Sequence, residues 1–230
     1  MRKTIITAMM LLMGVVAQLQ AATQGNENTR GVKYAQMYDE RPRAIVVMPP
    51  INRTNHVEAK DFFYTTMYVP LCDKGYYVFP PMLTMEMFQA ESAYDAEMFI
   101  EGNLDPFRNV LGADAAMFTI IKDWKRLNAL GTITVNVEFI LRSTKTGSTL
   151  YQREGTITVD NSVKSSQGGL FGALLDMAAT TISTAATDKV EVGRKCASYV
   201  LSNMPEGPYS PNYEKDQNVK AGKDVIKETL

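Results

Sequence analysis

The stretch from Arg41 to Pro81 limits the fold more than any other part of the chain. Ala44 to Met48 is an uninterrupted apolar run of strand length, ended by Pro49-Pro50. A strand that is apolar at every position is covered on both faces, which is the situation of parallel strands in α/β proteins. The loop Ile51 to Asn55 supplies polar side chains, and Thr54 or Asn55 is placed to cap the first turn of a following helix. That helix is predicted from about His56 to Leu71, with Gly75 ending it. Tyr76 to Phe79 is then a second short strand, closed by Pro80-Pro81. Strand, helix and strand in this order form a βαβ crossover unit.

The remaining pattern adds an antiparallel half to the sheet. Met82 to Gly102 is rich in methionine and acid, and Leu104 to Leu111 reads as a short helix stopped by Gly112. Ala116 to Ile121 returns as a strand ending at Asp123-Trp124. From Thr132 to Leu141 the alternation is strict, with Ile133, Val135, Val137, Phe139 and Leu141 on one face and Thr134, Asn136 and Glu138 on the other. Lys145-Thr146-Gly147 has the composition of a tight turn, and Leu150 to Val159 is the hairpin partner. The predicted class is therefore α/β: a mixed sheet with a βαβ crossover at the start, an antiparallel hairpin near residues 132 to 159, and covering helices. One domain of residues 41 to 213 is expected, after a polar leader of residues 22 to 40 docked by Tyr34 and Tyr38, and before a mobile charged tail of residues 214 to 230.

Several blocks in this order carry a resemblance. Pro42-Arg43, the run into Met48-Pro49-Pro50, Asn52, Thr54, Tyr64, Pro70-Leu71 and Gly75-Tyr76-Tyr77-Val78-Phe79-Pro80 are similar to an uncharacterised family of bacterial lipoproteins, catalogued as domain of unknown function 799. Gly112-Ala113-Asp114, Trp124, Thr146-Gly147 and Pro205-Glu206-Gly207-Pro208-Tyr209 extend the match over most of the mature chain. In architecture that family resembles the periplasmic domain of the curli secretion channel protein. It also resembles the amino-terminal domain of the Tol-Pal translocation protein and lipoprotein activators of peptidoglycan synthases. The resemblance implies a non-catalytic envelope accessory and names no substrate.

The amino terminus fits export. Met1-Arg2-Lys3 is a basic start, Ile5 to Val16 an apolar core, and Ala17 to Ala22 a small-residue exit, with cleavage placed between Ala21 and Ala22. The apolar run is shorter than the roughly twenty residues a membrane span needs. In one respect the sequence departs from the family pattern: a lipoprotein carries its acyl chains on a cysteine directly after the signal, and the first cysteine here is Cys72. The expectation is a periplasmic protein, either soluble there or held at the outer membrane through a partner. Incorporation of labelled fatty acid into the mature protein would overturn it. Cys72 and Cys196 leave two readings open in an oxidising compartment, a bridge from the crossover helix to the last helix, or two buried thiols. The second is favoured, because nothing in the sequence brings them together.

Catalytic chemistry finds little support. The only histidine, His56, sits at a helix start, where capping or packing is the ordinary role. Gly-x-Ser-x-Gly, Cys-x-x-Cys and zinc-ligating clusters are absent from the sequence. Glu91 with Asp95, and Glu97 with Glu101, have helical spacing, yet the glycine and oxygen pattern of a calcium loop is missing. No cofactor or metal is called for, and the net charge of −1 argues against nucleic acid as a ligand. The expected partners are envelope proteins, with a homo-oligomer as one form. Gly168-Gly169 and Gly172 read as a hinge, and the helix from Leu170 to Ala186, with Leu170, Phe171, Leu174, Leu175 and Ile182, is the first choice for a contact element. Asp188 and Glu191 have capping spacing for a last helix ended by Pro205. The leading function is an accessory of an outer-membrane secretion or envelope-maintenance assembly, and the alternative a periplasmic binder of a peptide or glycan. An exposed apolar patch or free sheet edge favours the first and a deep aromatic cleft the second, with Tyr34, Tyr38, Tyr76, Tyr77, Tyr209 and Tyr213 as candidate lining.

Overall fold

The structure, a computed structural model, describes residues 28–93, 95–127, 132–160 and 185–230. Two short helices, α1 (Arg30–Lys33) and α2 (Ala35–Glu40), precede β1 (Ala44–Val47) and β2 (Ile51–Asn52). The chain continues through α3 (Ala59–Thr66), α4 (Tyr68–Asp73), β3 (Tyr77–Val78), α5 (Pro81–Ala90), α6 (Glu97–Ile100) and a π-helical turn, Phe107–Leu111. Three long strands follow, β4 (Ala115–Leu127), β5 (Thr132–Ser143) and β6 (Thr149–Asp160), then α7 (Ala185–Leu201) and β7 (Val225–Thr229).

These strands form one seven-stranded sheet in the order β3-β1-β4-β5-β6-β7, with β2 paired to β4 beyond the end of β1. Parallel pairing joins β1 to β3 and β4, and antiparallel pairing joins β4 to β5 and β5 to β6, so the sheet is mixed as the sequence predicts. The reason is visible in β1. Ile45 and Val47 enter one core with Phe63, Met117, Phe139 and Val200, while Val46 and Met48 enter the other with Phe88, Phe107 and Phe118. A strand apolar at every position is used on both faces. In β5 the alternation is equally literal, each odd-numbered residue from Ile133 to Leu141 being buried.

One face of the sheet is covered by α3 and α7, whose Val192, Cys196, Ala197 and Val200 lie in the larger core. Among the described residues, the opposite face is covered over β1 and the start of β4 by the segment that carries Phe88, Leu104 and Phe107. Over β5 and β6 that face is polar and half-exposed, with Thr134 bonded to Thr158 (2.9 Å), Asn136 to Glu154 (2.9 Å) and Lys122 bridging Glu138 (2.9 Å) and Glu154 (2.6 Å).

Several predicted boundaries are corrected. The single helix from His56 to Leu71 is two, broken at Met67. Pro70 explains the break, because its ring meets the carbonyl four residues back, that of Thr66, and it has no N–H to donate. The leader and the tail are both part of the domain. Tyr34 and Met37 are buried in the larger core, and the backbone of Thr29 pairs with that of Lys220. Far from being mobile, the tail ends in β7, parallel to β6 from Glu154↔Val225 to Thr158↔Thr229. Its charges face solvent while its backbone completes the sheet, and charge content alone says nothing of backbone pairing. Among the described residues the last helix is already formed at Ala185, ahead of the expected capping residues Asp188 and Glu191, and it ends at Leu201, before Pro205.

Candidate functional site

The loop after β2 is held by a small polar network. Asn52 Oδ1 accepts from the Thr54 amide (3.0 Å) and the Thr54 hydroxyl (2.8 Å), and Asn52 Nδ2 donates to the His56 carbonyl (2.7 Å). The Thr54 oxygen accepts in turn from the His56 amide (3.1 Å). This is an Asx-type turn. It replaces the expected helix cap, since α3 has no side-chain hydrogen bond at its N-terminus. What it fixes is the position of His56.

His56 is exposed and lies over Trp124 near the end of β4, the ring centroids being 6.4 Å apart. Phe62 approaches the same indole at 6.2 Å, and Phe63 meets it edge-on at 6.1 Å from the core side. From α7, Lys189 reaches across to Glu58 (2.8 Å) and sits 5.7 Å over the Phe62 ring. A hydrogen bond from Lys189 holds the Glu58 carboxyl below its ordinary value. Together with Asn55, Val57 and Ala59 these residues enclose a cleft of about 260 Å³. Asn52, Thr54 and Trp124, all quoted above as resemblance blocks, thus converge on one place. Glu58, Phe62 and Lys189 gave no signal in the sequence, because their meeting depends on how α3 and α7 cross.

A second surface lies around β3, the outermost strand on this side of the sheet among the described residues. The amides of Tyr77 and Phe79 donate to the carbonyls of Arg43 and Ile45 at 2.9 and 3.1 Å, and Val78 between them is buried. Tyr77 is 49% exposed and packs edge-on against Phe79 at 5.2 Å. Tyr68 and Val69 before this edge, and Met82 and Leu83 after it, are exposed as well.

The other predicted residues separate clearly. Leu170, Phe171, Leu174, Leu175 and Ile182, the cleavage pair Ala21 and Ala22, and the glycine hinge lie outside the described residues. Cys72 and Cys196 are both free thiols, so the bridge reading is corrected. Cys196 faces the core from α7, where burial pushes its thiol up to about 12, and burial also raises the half-buried Cys72. Of the six tyrosines, Tyr34 and Tyr76 are core residues rather than lining, with Asn203 donating to the Tyr34 hydroxyl (2.8 Å) and Tyr76 donating to the Pro205 carbonyl (2.9 Å). Tyr38 donates to Asp216 (3.0 Å), leaving Tyr77 and Tyr209 as the well-exposed pair. Glu91 and Asp95 do not share a helical face, since α5 ends at Ala90 and Ser92 takes a left-handed φ of 58°. Asp95 instead accepts from the Glu97 amide (2.9 Å). Met82 and Met98 of the methionine-rich segment are 78% and 71% exposed.

Residues 32–207 match the family described as "Putative lipoprotein GNA1162-like". The chain is 23% identical over 206 residues to "Putative lipoprotein NMB1124/NMB1162" of Neisseria meningitidis serogroup B, covering 88% of this chain and 92% of that protein. Among solved structures, lipoprotein GNA1162 from Neisseria meningitidis aligns with a TM-score of 0.49 and 23% identity, over 60% of this chain and 95% of that one. A PelC dodecamer from Paraburkholderia phytofirmans aligns at 0.40 and 16% identity, over 73% and 90% of the two chains. The LpoB C-terminal domain from Escherichia coli aligns at 0.35 and 15% identity, over 56% and 95%. The resemblance drawn from the proline, tyrosine and glycine blocks is borne out by the family match across both halves of the sheet, and the chain belongs to the GNA1162-like family.

Proposed function

We propose that the protein is a non-catalytic accessory or scaffold subunit of an outer-membrane secretion or envelope-maintenance assembly, exported to the periplasm and working through protein contacts. The observation that carries this reading is the exposed apolar surface around β3, made by Tyr68, Val69, Tyr77, Met82 and Leu83. Apolar side chains grouped on one surface are suited to being covered by another protein chain. Membership of a family described as lipoproteins supports the envelope address. Among the described residues no helix is long and apolar enough to cross a membrane, so attachment through a partner is consistent with the structure.

The test is the native mass of the tagged mature protein, extracted from the envelope in mild detergent, with every co-purifying chain identified. A stoichiometric outer-membrane partner, lost in a Tyr77→Asp, Leu83→Asp variant that melts at the wild-type temperature, is the expected result. A clean monomer in the soluble fraction would overturn the proposal.

A further inference from the structure

We infer that the groove beside the first half of β6 seats an extended segment of a partner polypeptide with a basic side chain, which joins the sheet as a further strand. β7 pairs with β6 from Glu154 to Thr158, and among the described residues no strand lies beside Thr149 to Arg153 on that side. The register explains why. The Glu154 amide donates to the Asp224 carbonyl at 2.7 Å, away from β5. Backbone groups alternate sides along a strand, so the N–H and C=O of Gln152 point the same way, and a β7 prolonged backwards would meet that N–H with the Gly222 carbonyl. That carbonyl is instead taken by Lys33 Nζ at 2.7 Å, and the Lys223 carbonyl by Arg153 Nε at 3.0 Å. The chain is thereby turned off the edge just before Val225, and Gln152 is exposed.

The space left there is a groove of about 500 Å³, within the ~300–1,000 Å³ of ordinary ligand sites. An extended peptide uses the outward donor and acceptor of one residue together, and the same edge already holds a strand in β7. The Gln152 side chain does not block it, because its amide is tied to Glu138 at 2.6 Å on the polar face of the sheet. Charge sets the second requirement. Glu138, Glu154 and Asp224 line the groove against the single ammonium of Lys33. Lys122 bridges the two glutamates, which leaves one negative charge in excess. Asp224, with its side chain 67% exposed, is where that charge meets a newcomer. Complementary charge across a contact favours a lysine or arginine over an acid. This groove lies at the opposite end of the sheet from β3 and shares no residue with the surface there. It is a contact beyond the one proposed above, and either can fail without the other.

The full chain is titrated into the fluorescein-labelled peptide Thr-Val-Lys-Val-Thr and followed by anisotropy. Comparison peptides carry glutamate in place of lysine, or methyl groups on the backbone nitrogens. The expected result is saturable binding of the lysine peptide, at least about tenfold weaker for both comparison peptides, with slowed hydrogen exchange at the Gln152 amide. Gln152→Ala keeps the backbone N–H and should bind as wild type. Gln152→Pro removes it and should lose at least about tenfold at unchanged melting temperature. The inference is overturned if the lysine peptide shows no saturation up to about 1 mM, or if neither methylation nor charge reversal weakens it. Unchanged exchange at Gln152 in the saturated complex overturns it as well, and that readout needs no variant. A concentration-dependent dimer of the chain that Gln152→Pro dissociates also overturns it, the occupant then being a second copy.

Discussion

Asp216 receives three groups that arrive from distant parts of the chain: the Arg30 guanidinium, the Tyr38 hydroxyl and the Glu206 amide, each at 3.0 Å. Both members of the Arg30–Asp216 pair are nearly buried, with side chains 12% and 6% exposed. Removing one partner of such a pair leaves the other charge stranded, and Arg30 Nε already lacks a partner. Asp216→Ala is therefore expected to cost about 3 kcal/mol in a denaturant melt, with the near-ultraviolet signal of Tyr38 altered. The cysteines give a second residue-scale test. Alkylation of native protein without reductant should label Cys72 slowly and spare Cys196, while denaturation should expose two thiols by mass. One residue-level feature was plainly legible beforehand and one was not. Gly75 was read as a helix end, and its φ of 80° agrees with that. Nothing in the sequence announced that the chain at Ser210 crosses so near that an added Cβ would stand 2.3 Å from the Ser210 nitrogen.

At the scale of elements, legibility followed periodicity. The hairpin of β5 and β6 was readable because alternate burial is written directly into alternate residues, and β1 because both faces are apolar. Short β2 and terminal β7 were not, since two to five residues give no period and their partners come from elsewhere in the sequence. Deleting residues 225 to 230 strips β6 of its outer partner over five residue pairs. The expected outcome is a loss of about 2–4 kcal/mol and faster hydrogen exchange at Glu154 and Thr156, with β5 amides little changed. The polar face of the sheet carries a pH dependence. Burial opposes the charge on Lys122, but the hydrogen bonds it donates to Glu138 and Glu154 outweigh that and raise its value, while Lys122 and Asn136 hold Glu154 low. The Glu154 contribution is present above the ordinary carboxylate value and lost as pH falls through its lowered one. That of Lys122 is complete below the ordinary lysine value and lost as pH rises through its raised one. Comparing melts of wild type and Glu154→Gln should give a difference of at most about 1 kcal/mol at neutral pH that vanishes in acid.

For the whole molecule, the segments at the two ends of the described chain lock each other in place. Lys33 of α1 donates to Gly222 at 2.7 Å and pairs with Asp224, and the Arg30 amide bonds the Val219 carbonyl at 2.8 Å. Unfolding should accordingly be a single cooperative transition when followed by tryptophan fluorescence, tyrosine absorbance and far-ultraviolet dichroism together, and an early separate loss of either end would contradict it. The sequence suggested a mobile tail because that end is tied largely by polar and backbone bonds, which leave no hydrophobic period to read. The mutual hold of the two segments also means that neither can be altered alone: loosening Arg30 and Lys33 frees residues 219 to 224, from which the chain leads directly into β7.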